Sequence, residues 1–138
     1  MTVATLYAVT LVVFLAVDAL MLTLVMNPLF QRHVGPLMAD APRLEIAAVF
    51  YLFYVVGILW FCSWPALSAS APLPHAALNG FILGVLAYGT YEFTNMSTLK
   101  GWSWTMVATD TTWGGVLTAL SAVAGVWAVQ ALGLVRGA

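Results

Sequence analysis

The sequence predicts an all-α integral membrane protein, a four-helix transmembrane bundle formed by one domain over residues 1–138. Three observations carry that expectation. Of the 138 residues 63 % are hydrophobic, only 7 % are charged, and the mean hydropathy is +1.00. A water-soluble domain of this composition would lack the polar surface to cover itself. A helix crosses a hydrocarbon core of about 30 Å with about 20 residues, and four such stretches with their connections occupy the whole chain.

The first span is expected at about 3–26. It has no basic leading region, its apolar run is long, and Asp18 interrupts it, so it reads as a retained helix rather than a cleaved signal peptide. Asn27-Pro28 reads as its stop. The following loop holds Pro28, Pro36 and Pro42 with Gln31-Arg32-His33 and Arg43, and at roughly 17 residues it is long for a helix–helix connection. A short interfacial turn near Pro28–His33, or a flap over the helix ends, would account for its length. The second span is expected at about 44–64, with Glu45 in its first turn and Trp60, Phe61 and Trp64 at its far end. Such an aromatic cluster suits a membrane interface. A Pro/Ser/Ala-rich loop without Lys or Arg leads to the third span, about 76–95. Gly80 and Gly84 make a small-xxx-small face on it, which lets helix backbones approach closely. A tight loop with Lys100 and Trp102 precedes the fourth span, about 104–130, with Arg136 beyond it.

With four spans both termini share one side of the membrane, while loops one and three share the other. Arg32, Arg43 and Lys100 stand on the second side against Arg136 on the first. The positive-inside rule then puts the termini outside and loops one and three in the cytoplasm of a bacterial inner membrane. A net charge of −1 with no basic patch gives no case for nucleic acid. Cys62, the single cysteine, excludes an intrachain disulfide.

Function is read from the acids. Asp18, Glu92 and Asp110 fall inside the spans, where an ionised Asp at a helix centre costs about 2.5–3.5 kcal/mol. At the rise of an α-helix, Asp18 lies about 12 Å from the Asn27 end of its span, Glu92 about 6 Å from loop three, and Asp110 about 9 Å inside span 4. All three, and Glu45 too, belong to the half of the membrane bearing the basic loops. Tyr88, Glu92 and Asn95 share a helix face flanked by Tyr91 and Thr94. Met106, Asp110 and Trp113 share another, beside a stripe of Thr105, Thr109 and Thr112. Turned inward, these faces make a polar pocket of Asp18, Tyr88, Tyr91, Glu92, Asn95, Asp110 and Trp113, with Glu45, Thr109, Lys100 and Arg43 as secondary members. No Lys or Arg lies within a span, so any counter-ion must snorkel inward from the rim.

Each residue also has a plainer explanation. Asp18 and Asp110 can fix helix register through a Thr, Tyr or Trp, but membrane hydrogen bonds average only about 0.6 kcal/mol. Intramembrane ionisable groups are by default functional candidates. Glu45 complements its helix dipole, Lys100 and Arg43 set topology, and the tryptophans at 60, 64, 102 and 104 read as interface anchors. Gly80/Gly84 and Gly114/Gly115 serve either close contact within the chain or a homo-oligomer interface, the homodimer being the simplest.

The run Tyr88-Gly89-Thr90-Tyr91-Glu92-Phe93-Thr94-Asn95, then Lys100-Gly101-Trp102, then Asp110-Thr111-Thr112-Trp113-Gly114 resembles a family of small bacterial membrane proteins catalogued only as a predicted membrane protein domain of unknown function. The resemblance covers the whole chain and implies four spans. It highlights Asp18, Glu92, Asn95 and Asp110, although its pattern carries Asp where this chain has Glu92. It implies no activity.

Three functions fit the residues. The first is a binding or transport protein whose acidic intramembrane pocket takes protons, a cation or a small solute. The second is an accessory or assembly subunit that docks a partner helix through the polar cluster. The third is a membrane enzyme acting on a lipid-like substrate, with the acids as general acid and base or as oxygen ligands. No nucleophile elbow or HExxH is present, and no catalytic residue, cofactor or metal-ligand set is identifiable. The expected order is binding or transport, then accessory subunit, then enzyme.

Overall fold

The structure, a computed structural model, describes residues 1–135; Arg136, expected beyond the fourth span, lies outside them. Four long helices account for almost all of the described chain: α1 (Thr2–Leu37), α2 (Leu44–Ala66), α3 (Pro72–Thr98) and α4 (Trp104–Ala131). By length and composition α1, α2 and α4 can each cross a membrane. α3 has the length, at 27 residues, but Asn79, Thr90, Glu92, Thr94 and Asn95 dilute its hydropathy.

α1 does not stop at Asn27-Pro28 as expected, and the long first loop shrinks to residues 38–43. Pro28 lacks an N–H, and its ring crowds the carbonyl four residues back. The turn just before it, Leu22–Met26, is wound as a π-helix, whose wider ring takes up the missing hydrogen bond. The same arrangement recurs in α2, where the π turn Leu59–Ser63 precedes Pro65 at the same spacing. At 36 residues α1 is roughly 54 Å long, well beyond a hydrocarbon core of about 30 Å. Its last turns carry Gln31, Arg32 and His33 and meet the loop between α3 and α4. Gly101 adopts φ +83° there, and a Cβ on it would stand 3.3 Å from the His33 carbonyl oxygen.

α4 is the central helix, packed most extensively on α3 and next on α1. α1 runs antiparallel to it: Thr2 Oγ1 donates to the Leu134 carbonyl at 2.9 Å, which sets the N-terminus beside the far end of α4. The α3–α4 contact is made by glycine. A Cβ on Gly80 would stand 2.8 Å from Ala119 Cα, one on Gly84 would run into the Gly114 carbonyl, and one on Gly115 would meet the Phe81 ring at 2.8 Å. These glycine faces, left open between an internal contact and a second subunit, are therefore closed within the chain. α4 begins at Ser103, whose Oγ accepts from the Met106 N–H at 3.3 Å. Ser103→Ala should cost about 1 kcal/mol, measurable as a lowered unfolding midpoint in detergent.

The packed core lies in the half nearer the termini. Leu6 and Phe14 of α1, Val55, Ile58 and Cys62 of α2, and Leu117, Ala122 and Val126 of α4 are all buried there. α2 meets this core from Tyr51 onward, whose ring packs edge-on against Phe14 at 5.0 Å; Leu44, Ile46, Val49, Phe50, Leu52 and Phe53 of its first half are exposed. α2 thus stands away from the bundle at the end nearer loop one, and the acids lie in that half.

Candidate functional site

A cleft of about 420 Å³ opens where α2 diverges. α1 lines it with Asp18, Leu22, Met26, Asn27 and Phe30, and α2 with Ala47, Phe50 and Tyr51. Ala87, Tyr88 and Tyr91 come from α3 and Asp110 from α4. Gly114 lets the Tyr88 side chain pack onto the backbone of α4, since a Cβ there would occupy the space of that side chain.

The three acids are buried: Asp18 is 3 % exposed, Asp110 8 % and Glu92 0 %. Asp18 Oδ1 accepts from Trp113 Nε1 at 3.4 Å, and Tyr51 stands beside the same carboxyl. Glu92 lies behind Asp110, close enough for the two carboxyl groups to share a hydrogen bond. Glu92 Oε2 accepts from Trp102 Nε1 at 2.7 Å, whereas Glu92 Oε1 is buried with no donor. Trp102 itself packs edge-on against Phe30 of α1 and Tyr91 of α3, at ring centroid distances of 5.5 and 5.8 Å. It is half-buried over Glu92 and closes the cluster on that side.

Among the described residues, no Lys or Arg stands among these groups. The neighbours of Asp18 are Tyr51 and Trp113, and those of Asp110 are Glu92 and Asp18. Arg32, Arg43 and Lys100 are exposed and do not reach inward. Among the described residues, no three His, Cys, Asp or Glu side chains converge as a metal-ligand set.

Of the expected pocket residues, Asp18, Tyr88, Tyr91 and Asp110 line the cleft. Trp113 supports Asp18, and Glu92 supports Asp110 from behind. Asn95 sits off the lining, within hydrogen-bonding reach of Tyr91. Glu45, Arg43 and Lys100 are exposed outside it, and Thr109 is half-buried elsewhere on α4.

The segments that bring these side chains together lie within one family match, which spans residues 3–127 under the description "Predicted membrane protein (DUF2177)". The chain belongs to this family. No curated protein and no solved structure matches it. Family and fold together make the chain an all-α membrane protein, and they assign no activity to the cleft.

Sequence reading missed Tyr51, Trp102 and most of the apolar wall. Tyr51 had a signal in the sequence: with Tyr54 it is one of two phenols in the otherwise apolar Leu44–Ile58 stretch, and a buried phenol usually finds a partner. Trp102 had none, because its bond to Glu92 spans a turn of ten residues.

Proposed function

We propose that this protein binds protons and a cationic solute at the Asp18–Asp110–Glu92 cluster, as a binding or transport protein of the bacterial inner membrane with its termini outside. The single observation that carries the reading is Glu92 Oε1, a fully buried carboxyl oxygen without a donor. Leaving such an acceptor unpaired costs about 1–3 kcal/mol. A proton held between Glu92 and Asp110 gives it a partner. A cation arriving at Asp110 from the cleft competes with that proton, which couples the two occupants. Among the described residues no Lys or Arg lines the cleft, which leaves the negative charge to be balanced by the solute.

Asp18→Asn, Asp110→Asn and Glu92→Gln test this reading in purified full-length protein. Asp18→Asn keeps an acceptor oxygen for Trp113 and Glu92→Gln keeps one for Trp102, while Asp110→Asn relieves the repulsion of its neighbours Glu92 and Asp18, so thermal stability should equal or exceed that of the wild type. Tetramethylammonium should release protons from the wild type, and the variants should lose at least tenfold in affinity for it. If all three variants instead unfold well below the wild type, the acids are hydrogen-bond hubs and the binding reading fails.

A further inference from the structure

We infer that the solute is an amphiphilic organic cation, a single apolar chain ending in an amine or quaternary ammonium, which enters sideways between α1 and α2. This rests on the cation-binding reading above and names its substrate class.

The lining of the cleft is divided by chemistry. Apart from Asn27, its outer wall is apolar, with Leu22, Met26 and Phe30 of α1 and Ala47 and Phe50 of α2, none of whose side chains can hydrogen-bond. Its deep end holds Asp18 and Asp110, with Tyr51 and Tyr88 beside them. A carboxylate pair attracts a cation, and phenol rings accept one on their faces. An inorganic cation would use the deep end alone and leave the apolar wall without a purpose. The volume of about 420 Å³ falls in the range that holds a small organic molecule.

The mouth of the cleft opens to the side. Leu22 and Phe50 both line it, yet they are 39 % and 59 % exposed on the outer surface of the bundle. They stand where α2 is exposed before it meets the core at Tyr51, at a level that the span lengths put within the bilayer. A molecule dissolved in the leaflet therefore reaches the wall without crossing the loops. Charge complementarity selects among such molecules. Among the described residues no Lys or Arg lines the cleft, so an anionic amphiphile, or a phospholipid with its phosphate, would set that anion against Asp18 and Asp110.

The test is isothermal titration of full-length protein in nanodiscs, corrected for empty discs, with four probes: tetramethylammonium, hexyltrimethylammonium, hexyl sulfate and hexanol. Hexyltrimethylammonium should bind at least tenfold more tightly than tetramethylammonium, and hexyl sulfate and hexanol should not saturate. Asp18→Asn and Asp110→Asn should each weaken it at least tenfold. Ala47→Trp, which fills the outer wall away from the acids, should abolish the gain from the hexyl chain. If tetramethylammonium binds and the hexyl chain adds nothing, the cation site stands and the amphiphile inference falls. If hexyl sulfate or hexanol binds as well as the cation, the cleft is merely adsorbing chains, and the inference is overturned. Wild-type protein silent to both ammonium probes would overturn both readings.

Discussion

Gly84→Leu should lower the unfolding free energy by more than about 3 kcal/mol, at the severe end of overpacking losses. α3 and α4 touch along backbone rather than side chain. At Gly84 the obstacle is the Gly114 carbonyl, and one turn earlier, at Gly80, it is the Ala119 Cα with the Thr118 carbonyl oxygen. Neither can rotate away as a flexible side chain would, so the helices must separate. Their separation carries Tyr88 off its seat on Gly114 and opens the floor of the cleft. Gly57 on α2 is the control, because a Cβ there meets nothing within 4 Å; Gly57→Leu should change stability by less than about 0.5 kcal/mol. Detergent-denaturation curves on both variants read the difference directly. Equal losses would mean that something other than these glycines sets the α3–α4 distance.

Hydropathy made the bundle legible, because a chain with 7 % charged residues has few ways to fold outside lipid. Gly80 and Gly84 stood out by their spacing, but spacing alone leaves the partner unnamed, and the partner is α4 of the same chain. The error at Asn27-Pro28 has a clear physical source. Proline ends a helix when the missing hydrogen bond has no replacement, and the π turns before Pro28 and Pro65 provide one. Composition does not reveal that winding. Hence α1 continues for some ten residues past its expected stop and reaches loop three.

The acids were legible for the same energetic reason as the spans: a carboxyl inside an apolar run is costly enough to attract notice. Helical periodicity then put Asp110 and Trp113 on one face, and in three dimensions Asp110 borders the cleft while Trp113 turns to Asp18. Glu45, Arg43 and Lys100 belonged by depth to the same half of the chain, yet depth says nothing about direction, and they point outward. The apolar wall was invisible because Leu22, Ala47 and Phe50 look like any lipid-facing residues. Only the divergence of α2 makes them the side of a cleft.

Trp102→Phe and Glu92→Leu should each cost about 1.5–3 kcal/mol, the worth of a hydrogen bond to a charged or buried carboxyl group. Trp102→Phe removes the donor of the buried Glu92 Oε2. Glu92→Leu strands the indole N–H of Trp102 beneath Phe30 and Tyr91. The double variant removes both ends of the bond, so it should lose clearly less than the two single losses added together, with a coupling of about 1–2 kcal/mol. Glu92→Gln should be close to neutral, because its carbonyl accepts from Trp102 and its amide N–H can donate to Asp110. The measurement is a double-mutant cycle on denaturation midpoints in one detergent. Strict additivity would show that Trp102 is held by its aromatic contacts alone, 5.5 Å from Phe30 and 5.8 Å from Tyr91. A clear coupling makes Trp102 the cover of the acid cluster: it joins loop three to the buried carboxyl on α3, and the extended end of α1 braces it from outside.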